Sequence, residues 1–169
     1  MAHPALPSQL APTPEAVAFL HEFLRITAES GQDQAAVHAC FRDNLDKLAD
    51  KTLRSAIPAV FAELTQDADP GGQGKIASDF NSLGVDLADF PLGNRALNLE
   101  IAMAAYEAAL QVYTRDAFPQ DWAMTQNNLG LAYRNRIRGE RADSLEQAIA
   151  AYEAALQVYT RDALPQDWA

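Results

Sequence analysis

A stretch of 25 residues occurs twice in this chain. Leu99–Ala123 and Leu145–Ala169 are related by an offset of 46 residues and differ only at 101/147, 103/149 and 118/164. The same offset aligns Asn81-Ser-Leu-Gly84 with Asn127-Asn-Leu-Gly130, and Gly93-Asn-Arg-Ala-Leu-Asn-Leu-Glu100 with Gly139-Glu-Arg-Ala-Asp-Ser-Leu-Glu146. Periods of roughly 20–50 residues mark arrays in which each unit is one supersecondary element that buries its apolar face only against its neighbours. We read two full units, 73–118 and 119–164, with 165–169 as the start of a truncated third.

Each unit reads as two helices. In the second unit Trp122, Gln126, Leu129, Gly130, Tyr133 and Ile137 fall three and four apart, on one helical face. Arg138-Gly139-Glu140 breaks that helix, and a second one follows with Ala148, Ile149, Tyr152, Ala155, Leu156 and Tyr159 inward. Ser144 with Gln147 three residues on reads as a capping box, and Pro119 and Pro165 lie beyond helix ends. Asn98 with Ile101 gives only half a box in the first unit. Gly84 and Gly130 fall in mid-helix, where glycine costs about 1 kcal/mol relative to alanine. A glycine present in both copies at that cost predicts a close helix crossing, with Ala102 and Ala148 as the small residues opposite.

The pattern Leu-Gly-x-x-Tyr followed by Ala-x-x-x-Tyr-x-x-Ala resembles the tetratricopeptide repeat. It is carried by Leu129, Gly130, Tyr133, Ala148, Tyr152 and Ala155, and in the first unit by Leu83, Gly84, Leu87, Ala102, Tyr106 and Ala109. The usual unit has about 34 residues; here the surplus divides between the two connections. Gln126 or Phe80 stands where the usual tryptophan would be, and Trp122 fills related volume one turn earlier. The long unit is similar to repeats of bacterial and cyanobacterial arrays that precede caspase-like CHAT domains, and to those of kinesin light chains. The resemblance implies an all-α, right-handed solenoid of helical hairpins, built for binding proteins.

Upstream, 1–12 reads as a flexible arm, and 13–66 as a three-helix cap with stripes at Val17–Leu24, Val37–Leu48 and Leu53–Leu64. Thr13-Pro14 is a helix start, and Pro58 should start or kink the third helix. Asp67-Ala-Asp-Pro-Gly-Gly-Gln-Gly74 reads as a linker over 67–74.

Little here points to chemistry. Cys40 and His38, two apart on a helix, face away from one another, so a nucleophile–base pair is not expected, and the thiol reads as a small buried group beside a surface imidazole. His21 reads as structural, and three scattered histidines with one cysteine do not make a metal site. Gly71-Gly-Gln-Gly74 lacks the strand before it and the Lys-Ser/Thr after it that a phosphate loop needs. We expect no enzyme and no cofactor. With 13 Lys+Arg against 23 Asp+Glu, the net charge of −10 argues against nucleic acid or anionic membrane as partner. No apolar run long enough to span a bilayer and no signal-peptide pattern is visible, and a cytoplasmic setting is expected.

The expected function is a protein–protein interaction scaffold, part of a longer array, whose groove takes a peptide or partner protein. The resemblance places that groove on the first helix of each unit, at Asn81, Val85, Met124, Asn127, Leu131, Arg134 and Asn135. The alternative for the asparagines is hydrogen bonding between adjacent helices. Arg134, Arg136, Arg138 and Arg141 read either as an anion contact or as a solvated helix end whose charge favours the negative pole of the dipole, and we favour the second. The alternative function is a structural unit whose repeats stack end to end. Apolar Leu156 and Leu164 with Trp168 should make the C-terminal end self-associate into a homo-oligomer.

Overall fold

The computed structural model describes residues 11–31 and 33–160. The protein is all-helical, with no strand among the described residues. The helices are α1 (Pro14–Glu29), α2 (Gln34–Asp43), α3 (Leu45–Leu48), α4 (Leu53–Thr65), α5 (Pro70–Asp89), α6 (Arg95–Ala109), α7 (Pro119–Asn135) and α8 (Arg141–Leu156). The two repeat units are the antiparallel pairs α5/α6 and α7/α8.

Helix starts follow local chemistry. Thr13, Asp33 and Asn94 each accept a hydrogen bond from a first-turn N–H of α1, α2 and α6. Gly93 and Gly139, one repeat apart, take φ of 77° and 82° in the turn between paired helices, a conformation that costs a residue with Cβ. Two residues on, Arg95 and Arg141 each reach back to a carbonyl at the end of the preceding helix, those of Ala88 and Arg134.

Four boundaries differ from the sequence reading. The second stripe of the N-terminal group is two helices, because Asn44 leaves helical geometry and turns its amide onto the Cys40 carbonyl at 2.9 Å; the group has four helices, and the described chain eight rather than seven. The expected linker 67–74 is mostly helix: Asp69 accepts from the Gly72 N–H at 2.7 Å and Pro70 takes the first helical position, so the glycines fall in the opening turns of α5. Ser144 caps nothing: α8 begins at Arg141, and the Ser144 hydroxyl donates to the Glu140 carbonyl from inside the helix. Asn98 likewise lies inside α6, which Asn94 caps.

The N-terminal helices share one core with the first unit. Phe41 of α2 stacks on Phe23 of α1 at 5.2 Å and meets Phe90 edge-on at 5.2 Å, while Phe61 of α4 meets Phe80 of α5 at 5.0 Å. Helix α4 lies along α6 as well as α5, and α7 closes on the other side. Helix α6 is thereby enclosed, with 12 of its 15 residues buried, whereas α8, nearly the same sequence, buries four of 16. The contrast is sharp at single positions: Leu99 is 1 % exposed and its repeat mate Leu145 38 %; Met103 is 1 % exposed and Ile149 51 %. Burial here is decided by neighbours, not by the helix's own residues.

Both mid-helix glycines mark close approaches, but what lies over them is not alanine. A Cβ on Gly84 would stand 2.4 Å from Cε1 of Tyr106, and one on Gly130 2.8 Å from Cε1 of Tyr152. In each pair the tyrosine ring of the second helix lies flat against the glycine of the first; Ala102 and Ala148 are buried as small spacers on the same face. The other expected packing residues Leu83, Ala109, Leu129 and Ala155 are buried, and Trp122, Tyr133 and Tyr152 are half-buried.

Candidate functional site

Between α5 and α7 lies a cleft of about 120 Å³ floored by Leu99 and Tyr106 of α6. Its walls are Val85, Ala88 and Asp89 on one side and Asn128, Leu131 and Asn135 on the other. An apolar floor with amides, the Asp89 carboxylate and the Arg95 guanidinium around it suits an extended chain: the amides offer both donor and acceptor to a peptide backbone.

Of the residues expected to line a groove, the cleft brings together Val85, Leu131 and Asn135. Met124, Asn127 and Arg134 are exposed on α7 outside it. Asn81 does not belong to a groove. It is 7 % exposed, and the Thr125 hydroxyl of α7 donates to its Oδ1 at 3.2 Å, so this asparagine ties the two units together. Asn128 takes its place as a rim amide; with Leu131, Ala132 and Asn135 it forms a three-and-four strip one residue out of step with the expected one.

The arginine cluster divides. Arg136 closes a two-pronged bridge onto the buried Glu100 of α6, Nε to Oε1 at 2.6 Å and Nη2 to Oε2 at 3.0 Å, with Arg54 of α4 approaching the same carboxylate at 3.8 Å. Arg141 serves the end of α7, as described above, while Arg134 and Arg138 are exposed. Arg54 also lines a second cleft, about 170 Å³ between α4 and α6, with Lys51, Ser55, Pro58, Ala104 and Glu107 among its walls. At its edge the Tyr133 hydroxyl donates to Glu107 at 2.9 Å; burial, then that carboxylate, hold the phenol well above its ordinary range.

Burial raises the Cys40 thiol above its usual value, which makes it less reactive. His38 is half-buried rather than a surface group: its ring meets Phe90 edge-on at 5.2 Å, and Nε2 has no hydrogen-bond partner among the described residues. His21 lies 3.7 Å from Glu63. Among the described residues no three His, Cys, Asp or Glu converge on a metal position.

One buried carboxyl has a consequence for stability. Asp86 of α5 is pushed up to about 6 by burial, with His38 opposing the shift and Asp89 adding to it. The folded protein thus keeps this proton up to about pH 6, whereas the unfolded chain releases it near 3.8. Stability is therefore lost as pH rises through that window. Asp86→Asn should melt higher than the wild type at pH 7.5 and level with it near pH 4; equal melting temperatures at both pH values would rule out the buried charge.

No family model, curated protein or solved structure matches the chain.

Proposed function

We propose that the chain is a protein–protein interaction module of tetratricopeptide type, a right-handed solenoid of helical hairpins that holds a peptide of a partner protein in the cleft between α5 and α7. The observation that carries this reading is the cleft itself: apolar floor, amides at the rim, at the place where successive first helices meet. The chain's acidity favours partner segments with basic residues over nucleic acid. No described helix is long and apolar enough to cross a membrane, and a cytoplasmic setting is part of the proposal. Head-to-tail stacking of copies is the weaker reading, because α4, with α1 and α2, already covers the side of α5 that an incoming α8 would need.

The test is selection from a random peptide library against the whole chain, followed by amide shift mapping. Shifts should centre on Val85, Leu131 and Asn135, and Leu131→Lys should weaken binding at least about tenfold, ~1.4 kcal/mol. Shifts confined to α4 or α8, or a library that yields no binder, would sink the groove.

A further inference from the structure

The two copies of the second helix differ in a pattern. On α6, one strip borders the α4 cleft: Ala104 and Ala108 line it, and Leu97 and Ile101 continue it at helical spacing. On α8 the two large apolar residues of this strip become Asp143 and Gln147. A second strip on α6 faces α7: Leu99 and Tyr106 floor the shared cleft, with Met103 and Leu110 in line. On α8 this strip stays apolar as Leu145, Ile149, Tyr152 and Leu156, although Leu145, Ile149 and Leu156 are exposed. Where the first unit meets the N-terminal cap, the second has turned polar; where the first unit meets the next unit, the second has kept its apolar side chains.

We propose that this outer strip of α8 is a docking face for one kind of occupant: a helix of the α7 pattern, the first helix of a further 46-residue unit. The polar partner is already in place. Glu100 is clamped by Arg136 from just beyond the end of α7, and its repeat mate Glu146 is exposed with no ion pair among the described residues. A docked α7-type helix brings its own arginine to Glu146 as Arg136 comes to Glu100. The sequence Pro119-Gln-Asp-Trp-Ala123 that opens α7 recurs one period on as Pro165-Gln-Asp-Trp-Ala169. A second copy of this chain fits less well. Its own α7 is already packed on α6, and a two-fold α8 pairing would bring together two chains of net charge −10 with the acidic Glu146 beside the strip on each and no arginine to meet it. This inference is independent of the groove: either stands if the other fails.

The test lengthens the whole protein by one unit, joining a copy of residues 124–164 after Ala169. Amides of α8 should exchange at least about tenfold more slowly than in the 169-residue chain, and Tm should rise. Ile149→Lys should leave the shorter chain's Tm almost unchanged and remove most of the gain in the longer one. Glu146→Arg should cut the gain as well, and glutamate at the added unit's counterpart of Arg136 should restore it. Unchanged α8 exchange on lengthening, or Ile149→Lys lowering Tm equally in both chains, would overturn the proposal. So would sedimentation showing the shorter chain as a dimer that Ile149→Lys dissolves, since the face would then belong to a second copy.

Discussion

Gly84→Ala lowers Tm by about 5–10 °C, the opposite of what the same change does in an ordinary helix interior. Alanine there normally gains about 1 kcal/mol from backbone entropy. Here its Cβ arrives 2.4 Å from Cε1 and 2.8 Å from Cδ1 of Tyr106, a fully buried ring with the cap on one side and α7 on the other. The ring is wedged against the glycine beneath the cleft it floors, so ring and helices must shift together to make room, at a cost on the order of 2–3 kcal/mol. Gly130→Ala makes the same contact at 2.8 Å, but Tyr152 is half-buried and its ring can swing outward, so its loss should be less than half as large. Truncating the ring tests the cause: Tyr106→Leu should make Gly84→Ala nearly neutral when the two are combined. Equal melting of Gly84→Ala and wild type would show that the helices do not close on the glycine.

Arg136→Ala should cost roughly 2–4 kcal/mol, a large loss for a single surface-derived arginine. The reason lies in what it leaves behind. Glu100 sits in the wall shared by α4, α6 and α7, its side chain 6 % exposed, and its charge is met by the Arg136 fork and more distantly by Arg54. Without the fork the carboxylate stays buried with one partner at 3.8 Å, beyond hydrogen-bond reach. Lysine at 136 should recover only part of the loss, because a point charge cannot serve both carboxylate oxygens. Arg136→Ala combined with Glu100→Gln should lose less than the two single changes added together, and strict additivity in thermal melts would show that the pair does not interact.

The helix pairs and their period were legible because the hydrophobic spacing and the repeat reinforce one another. What remained hidden was context. Asn81 and Asn127 hold the same place in their units, yet Asn81 lies under Thr125 of the following unit while Asn127 is exposed. No local pattern separates them, since the difference comes from having a successor. The helix starts were misplaced because Ser144-x-x-Gln147 matches a capping box in letters, while the Gly139 turn and the Arg141 side chain define the real boundary. The Pro70-Gly-Gly-Gln-Gly74 run has a linker's composition, but Asp69 and Pro70 before it are a cap and a first helical residue. The cleft was reached within one residue on α7, missing Asn128, because the strip's phase depends on how α7 rolls against α6. Leu164 and Trp168, expected at a self-association surface, and residues 1–10 of the expected arm over 1–12 lie outside the described residues; Ile149 and Leu156, read as inward on the second helix, are exposed because nothing among the described residues covers that side of α8.

The central claim is that two nearly identical helices occupy opposite situations, one enclosed by the cap and the next unit, the other open to a partner along one side. Native-state amide exchange on the intact chain tests it directly. Amides of Ile101–Tyr106 should exchange only through global unfolding, with a free energy equal to that from denaturant melts, while those of Gln147–Tyr152 should exchange through local opening at least about a hundredfold faster. Equal protection of the two segments would contradict the account, because it would mean that α8 is covered as fully as α6.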